Sequence, residues 1–167
     1  KEEALSGIGG KQSKLRVAVS RFHVTEWELR YVDYLKSLGH EVELVPLGAS
    51  SKHCLLAKGE VDICPKFGKS SESDLAAGQV LVEATRGYVV NAETGGEVRY
   101  NKENMISPPF VMFGKRVYDE IKEGNKTFLD FKAKSIVKND YLGARRNEIK
   151  KQDIMEKQYA KELVEFI

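Results

Sequence analysis

The sequence predicts an α/β fold, a mixed β-sheet flanked by helices and followed by a helical C-terminal appendage, on three observations. Short β-branched or apolar runs alternate with helical stretches between residues 15 and 113. Glycines (Gly39, Gly59, Gly87) stand just past the helical stretches, where a chain leaves a helix. From Lys115 onward the β-branched runs give way to charged helix formers. Strands alternating with helices pack as a sheet whose faces the helices cover.

Each element has a local reason. Leu15 to Arg21 is a β-branched run behind the Gly9-Gly10 turn signal, hence a strand. Val24 to Leu38 is a helix with Thr25 as its cap and Trp27, Tyr31, Tyr34, Leu35 and Leu38 on one face. Glu41 to Leu47 alternates as a second strand, Ser50 to Lys58 is a short helix, and Val61 to Phe67 is a third strand. Asp74 to Arg86 is a helix of small and aliphatic residues with an acidic first residue. Tyr88 to Ala92 and Glu97 to Asn101 flank Gly95-Gly96 and predict a hairpin, and Pro109 to Phe113 is a last apolar strand. The expected division is an α/β unit over 1–114 and a helical appendage over 115–167, broken near Gly124-Asn125 and Gly143.

The 167 residues suffice for one domain with a core, or one domain and an appendage, and not for two full enzyme domains. With 41% apolar and 31% charged residues the chain is neither disordered nor collagen-like. A net charge of +2 gives no long-range field to recruit a nucleic acid polymer or a membrane surface, so any anion site must be local. Cys54 and Cys64 lack the spacing of a disulfide scaffold, which makes a reduced cytoplasmic location the expectation. No run approaches the ~20 apolar residues of a bilayer span, and Lys-Glu-Glu-Ala-Leu at the N-terminus has no signal-peptide core. A first residue other than Met predicts that the chain begins inside a longer reading frame.

Candidate chemistry gathers at the carboxyl ends of the predicted strands, where open α/β sheets hold ligands. Ser20, Arg21 and His23 follow the first strand, and Gly48, Ser50 and Lys52 follow the second. Free N–H groups at a helix start, small hydroxyls and a lysine in the first turn make a phosphate pocket. Taken singly, Ser50 is an N-cap and Lys52 a solvated surface charge; their co-location favours the pocket. Asp74 is either a helix cap or an oxygen ligand for Mg²⁺, and the two roles are compatible. His40 is expected to be exposed and His53 to lie on a helix face. No Cys/His zinc spacing, P-loop or Gly-x-Ser-x-Gly occurs.

Five segments, in order and at family-like spacing over 7–114, carry a resemblance. They are Val-Ser-Arg-Phe-His at 19–23, Gly-Ala-Ser-Ser-Lys-His-Cys-Leu-Leu-Ala-Lys-Gly at 48–59, Val-Asp-Ile-Cys-Pro-Lys-Phe-Gly at 61–68, Asp-Leu-Ala-Ala-Gly-Gln at 74–79 and Tyr-Asn-Lys at 100–102. Together they resemble the carboxyl half of bacterial 3′(2′),5′-bisphosphate nucleotidases, members of the inositol monophosphatase superfamily. The resemblance implies the carboxyl-terminal α/β half of a layered sandwich. It also implies a Mg²⁺-dependent phosphatase that takes the 3′-phosphate from adenosine 3′,5′-bisphosphate, a by-product of sulfate assimilation. By resemblance Asp74 matches the metal-binding Asp of the Trp-Asp-x-Ala motif. Ser20, Arg21 and His23 match the segment that meets the nucleotide, and Lys52 the basic residue near its phosphates.

The chain departs from the family pattern at Ser73, where the family has Trp, and at Lys69-Ser70-Ser71, where it has Pro-Thr-Met. The Gly-Glu-Glu and Asp-Pro-x-Asp-Gly-Thr elements, which supply most metal ligands and the water-activating carboxylate, do not occur. No catalytic residue is therefore expected within these 167 residues, which alone should hold Mg²⁺ poorly and catalyse nothing. The expected partners are a nucleotide bisphosphate and the amino-terminal half of the same enzyme; a homodimer is compatible with the resemblance. Competing readings are an inositol or sugar monophosphatase of the same superfamily, a non-catalytic nucleotide-binding module, and an interaction module working through the charged tail.

Overall fold

The computed structural model describes residues 14–21, 23–48 and 51–131. Side-chain alternation along β1 (Leu15–Ser20) shows how the sheet is covered. Leu15, Val17 and Val19 enter one apolar cluster with Tyr31, Val32 and Leu35, while Ala18 enters a second with Leu56, Leu75 and Val82. The same period-two division runs through β3 (Ile63–Lys66), β5 (Tyr88–Asn91) and β7 (Phe110–Phe113). Each of these strands is buried on both faces, which is why it reads as an unbroken apolar run.

The five-stranded sheet has the order β2-β1-β3-β7-β5, with β2 at Val42–Leu47. β1 pairs in parallel with β2 and β3, and β7 is antiparallel to both β3 and β5. The chain leaves β1 through α1 (Glu26–Ser37) on one face to reach β2, then returns through α2 (Ser51–Ala57) on the other face to reach β3. Strand order therefore reverses at β1, and the crevice between the carboxyl ends of β1 and β3 is a topological switch point. α3 (Glu72–Ala84) packs beside α2, and α4 (Lys115–Lys122) joins the α1 face.

Thr25 caps α1 as expected, with Glu28 Oε2 accepting the Thr25 N–H at 2.8 Å, and Gly39 leaves the helix at φ 91°. Tyr31 and Leu35 are buried, whereas Leu38, expected on the same face, is exposed because it is already the C-cap. Three further expectations are corrected. α3 begins at Glu72, not Asp74, because Ser71 is the residue whose side chain accepts the Asp74 N–H. Arg86, not Gly87, takes the left-handed conformation past its end, at φ 65°.

The third correction concerns the hairpin. Asn91 N–H bonds to the Gly96 carbonyl, so the turn is present, yet 97–101 forms no strand. β5 pairs instead with β7, whose four residues are all buried and apolar; the Glu97–Asn101 segment, with exposed Glu97 and Arg99, offers no such surface. The segment runs on to β6 (Ile106–Ser107), which pairs with β4 (Ser70–Ser71) in a separate two-stranded ladder.

Beyond Gly114 the described residues include α4 and a short 3₁₀ helix. Val117 and Ile121 of α4, and Phe128 of the 3₁₀ helix at Lys126–Leu129, are buried in the cluster that holds β1 and α1. This part of the expected appendage is thus packed on the sheet; the rest, 132–167, lies outside the described residues. His40, expected to be exposed, is half-buried and stacks on Phe128 with ring centroids 5.3 Å apart.

Candidate functional site

The switch-point crevice collects groups from four elements. Ser20 ends β1, and its Oγ accepts the His23 N–H at 3.1 Å, so the turn into α1 is held by the serine expected to meet a ligand. Arg21 continues the ladder, its N–H donating to the Leu47 carbonyl, and its side chain is exposed with that of His23. Gly48 follows β2; its carbonyl accepts the Ser51 hydroxyl at 2.6 Å. Ser50 lies outside the described residues, so its expected capping is neither seen nor replaced.

Lys52 overturns its bland reading. It is 5% exposed rather than solvated, and among the described residues its ammonium makes no hydrogen bond or ion pair. Burial lowers its pKa below the ordinary lysine value; Cys64 opposes the shift, the nearby Lys66 charge adds to it, and Glu28 opposes it more weakly. Lys66, at the carboxyl end of β3, did not stand out in the sequence. Its Nζ lies beside the backbone of Gly68, 3.7 Å from where a Cβ on that glycine would sit. The available signal was the position itself: Lys66 ends its strand as Ser20 ends the neighbouring one.

The one buried carboxylate near these lysines is already engaged. Glu28 Oε1 accepts the N–H groups of Phe67 at 2.8 Å and Gly68 at 3.4 Å, and Oε2 accepts the amide and hydroxyl of Thr25. Glu28 thereby fixes the loop after β3 to the start of α1, leaving two cations at the crevice without an ion pair among the described residues. A buried ammonium with no partner is costly unless a ligand supplies the counter-charge. Cys64, buried beneath, has its thiol pushed up to about 11 by burial and stays neutral.

Asp74 stands on the same side of the sheet as Lys52, since α2 and α3 pack together there. It occupies the first turn of α3, where the helix dipole favours a carboxylate. Its Oδ2 accepts the Ser71 hydroxyl at 2.8 Å, and its Oδ1 has no hydrogen bond among the described residues. Ser73, in the position of the family Trp, is exposed and joins the same cluster, its Oγ 3.0 Å from that of Ser71. His53 lies between the helices: a Cβ at Gly78 would overlap its ring, so the small residue sets the helix separation. Burial lowers the His53 pKa, with Lys52 adding to the effect and Asp74 opposing it. Asp74 fits a hard cation as a single oxygen donor. No group of three or more His, Cys, Asp or Glu side chains suited to a metal occurs among the described residues, so it does not make a site alone.

Beside the crevice opens a groove of about 1060 Å³, walled by Phe67 to Lys69 on one side and by Arg99, Lys102 and Asn104 on another. Among the described residues no helix is long and apolar enough to cross a membrane.

No family model matches the chain. It is 32% identical over 106 residues to the 3′(2′),5′-bisphosphate nucleotidase CysQ of Buchnera aphidicola, covering 59% of this chain and 38% of the relative. Over 95 residues it is 36% identical to the CysQ nucleotidase of Salmonella typhimurium, covering 56% and 37%. The crystal structure of CysQ from Bacteroides thetaiotaomicron, a bacterial member of the inositol monophosphatase family, superposes with a TM-score of 0.58 at 34% identity, over 65% of this chain and 40% of that one. The chain thus spans about two fifths of the length of these three relatives.

Proposed function

We propose, from its similarity in sequence and fold to CysQ nucleotidases, that the chain is the phosphate-recognising portion of a 3′(2′),5′-bisphosphate nucleotidase of the inositol monophosphatase family. The whole enzyme hydrolyses the 3′-phosphate of adenosine 3′,5′-bisphosphate to give AMP and phosphate. The observation that carries this reading is Lys52, a buried ammonium with no hydrogen bond or ion pair among the described residues, beside Lys66 at a switch-point crevice. Two lysines there suit a substrate with two phosphates better than a sugar or inositol monophosphate.

In this reading the crevice binds and orients. Lys52 supplies a charge-assisted contact made stronger by burial, Lys66 a second, and Ser20, Arg21, His23 and Gly48 line the approach to the nucleotide. Asp74 is the oxygen donor this chain would offer to Mg²⁺, which when bound would supply activation of water and neutralisation of the phosphate charge. The remaining ligands and the water-activating carboxylate come from a segment outside these residues. The pairing of the two segments completes the site.

The test is phosphate release from adenosine 3′,5′-bisphosphate with Mg²⁺. The 167 residues alone should give none, and the protein extended by a segment carrying the family's acidic motifs should turn over. Robust turnover by the 167 residues alone refutes the division of labour, and an extended protein that binds the nucleotide without cleaving it makes the chain part of a regulatory module.

A further inference from the structure

The segment from Tyr100 to Ser107 is laid along the first turns of α3, and one side chain holds most of it. Glu72, first residue of the helix and 4% exposed, accepts the Asn101 N–H at 2.8 Å and the Lys102 N–H at 3.4 Å, and pairs with Lys102 Nζ at 2.9 Å. Its own N–H donates to the Met105 carbonyl at 2.9 Å. Asn101 and Met105 both sit in the left-handed region, at φ 62° and 50°, a conformation that side chains other than glycine adopt only when held. The β4–β6 ladder and the Tyr100–Gln79 hydrogen bond fasten the segment on either side.

Two features of the proposed site depend on this strap. Asp74 lies two residues beyond Glu72 in the same helical turn, and Lys102 and Asn104 form one wall of the groove. We propose that Glu72 is a positioning residue: by clamping 101–105 to the start of α3, it sets the groove wall and the direction of the Asp74 carboxylate relative to each other. The inference rests on the reading of Asp74 as a metal donor for its functional meaning, and on geometry alone for the clamp.

The experiment compares three variants of the 167-residue protein by amide hydrogen exchange and by the carboxyl ¹³C resonance of Asp74. Glu72→Ala should speed exchange at Asn101 and Lys102 at least tenfold and shift the Asp74 resonance, while β1 and β3 keep their protection. Glu72→Gln, which retains an acceptor for the Asn101 amide, should restore the Asp74 resonance. Tyr100→Phe loosens the same segment away from the helix start and serves as the structural control: it should lower the melting temperature and leave the Asp74 signal in place.

The proposal is overturned if the Asp74 resonance is unmoved in Glu72→Ala, or if all three variants move it in proportion to lost stability. Titration with Mn²⁺ of the extended protein, which carries the family's acidic motifs, separates the two claims. Broadening near Asp74 that is absent in Asp74→Asn supports the donor reading. Its absence in the unsubstituted protein removes that reading and leaves the clamp decided by the exchange data.

Discussion

The two ends of the parallel strands treat charge in opposite ways. At the amino end, Asp62 is 2% exposed just ahead of β3, and its carboxylate meets Arg16 N at 2.8 Å, Arg16 Nε and Nη2 at 3.1 Å, and Arg116 Nη2 at 2.9 Å. That cluster ties β1, β3 and α4 together. At the carboxyl end, Lys52 and Lys66 approach each other with no ion pair among the described residues, and the nearest carboxylate, Glu28, is occupied by four protein donors. A saturated buried ion contributes to holding the fold, whereas an unsaturated one costs stability and keeps its binding capacity for something outside the protein. In the proposed reading the same sheet has one end built for cohesion and one for recognition.

Breaking the amino end should give the largest effect. Asp62→Ala removes the acceptor from two arginines and from the Arg16 amide. Breaking a buried pair costs ~3–5 kcal/mol, and because both arginines keep access to water the expected loss is about 2–4 kcal/mol. Thermal or urea unfolding measures it. Asp62→Asn, which can still accept the Arg16 N–H, should cost less. A loss below that of an ordinary surface substitution would erase the contrast between the ends.

At the carboxyl end the same kind of surgery should change sign. Lys52→Met replaces an unpaired buried charge with a shape-matched apolar chain and should stabilise the protein by about 1 kcal/mol. The same change should weaken binding of inorganic phosphate or AMP, because a charge-assisted contact worth about 1.5–3 kcal/mol corresponds to roughly 10- to 150-fold in affinity. Calorimetric titration and a melting curve on one sample supply both numbers. A variant that loses stability and keeps its phosphate affinity would show Lys52 to be a structural residue.

How much of this contrast was legible in the sequence depends on whether the signal was local. Strand and helix order followed from periodicity, and Thr25 and Gly39 were readable because capping and helix exit are decided within a few residues. The burial of Lys52 was not, since it depends on α3 and β3 closing over α2; a lysine in a first helical turn looks solvated until its neighbours are placed. Asp62 was invisible for the same reason: its partners Arg16 and Arg116 lie 46 and 54 residues away. The expected hairpin failed because pairing of β5 was decided by β7, a competitor that a local turn signal cannot weigh. Ser71 lost its capping role to Asp74 on paper because both are good caps, and only the helix start distinguishes them.

The pH dependence sharpens the comparison through Lys52 itself. Its folded pKa is below the ordinary 10.5, so the unfolded chain binds more protons in the window between the two values. Stability attributable to this group therefore rises with pH across that window, and the penalty is complete below it. Cys64 acts in the opposite sense, since its folded pKa is raised to about 11. The difference between the unsubstituted protein and Lys52→Met isolates the lysine: the advantage of the methionine should shrink as pH rises toward 10.5. Phosphate affinity should fall over the same window, because only the ammonium attracts the anion. An affinity unchanged up to the pKa of a free lysine would mean that the anion is held elsewhere.

The smallest expected effect on stability is at Asp74, and its smallness is the informative part. Ser71 is the residue that caps α3, and the Asp74 amide goes on donating to its hydroxyl whatever the side chain becomes. Asp74→Asn keeps an oxygen able to accept from Ser71 and removes only a charge at the helix start, worth about 0.3–1 kcal/mol at an exposed position. The melting temperature should move by roughly 1–4 °C in a domain of this size. In the extended, active protein the same substitution should cut turnover steeply, with part of the loss recovered by added Mg²⁺ as a weakened ligand set is driven by mass action. Loss of Lys52 should show no such recovery. If Asp74→Asn instead lowered stability well beyond the dipole contribution and left turnover intact, the carboxylate would belong with Asp62 among the residues that hold the fold, and the recognition end would consist of the lysines alone.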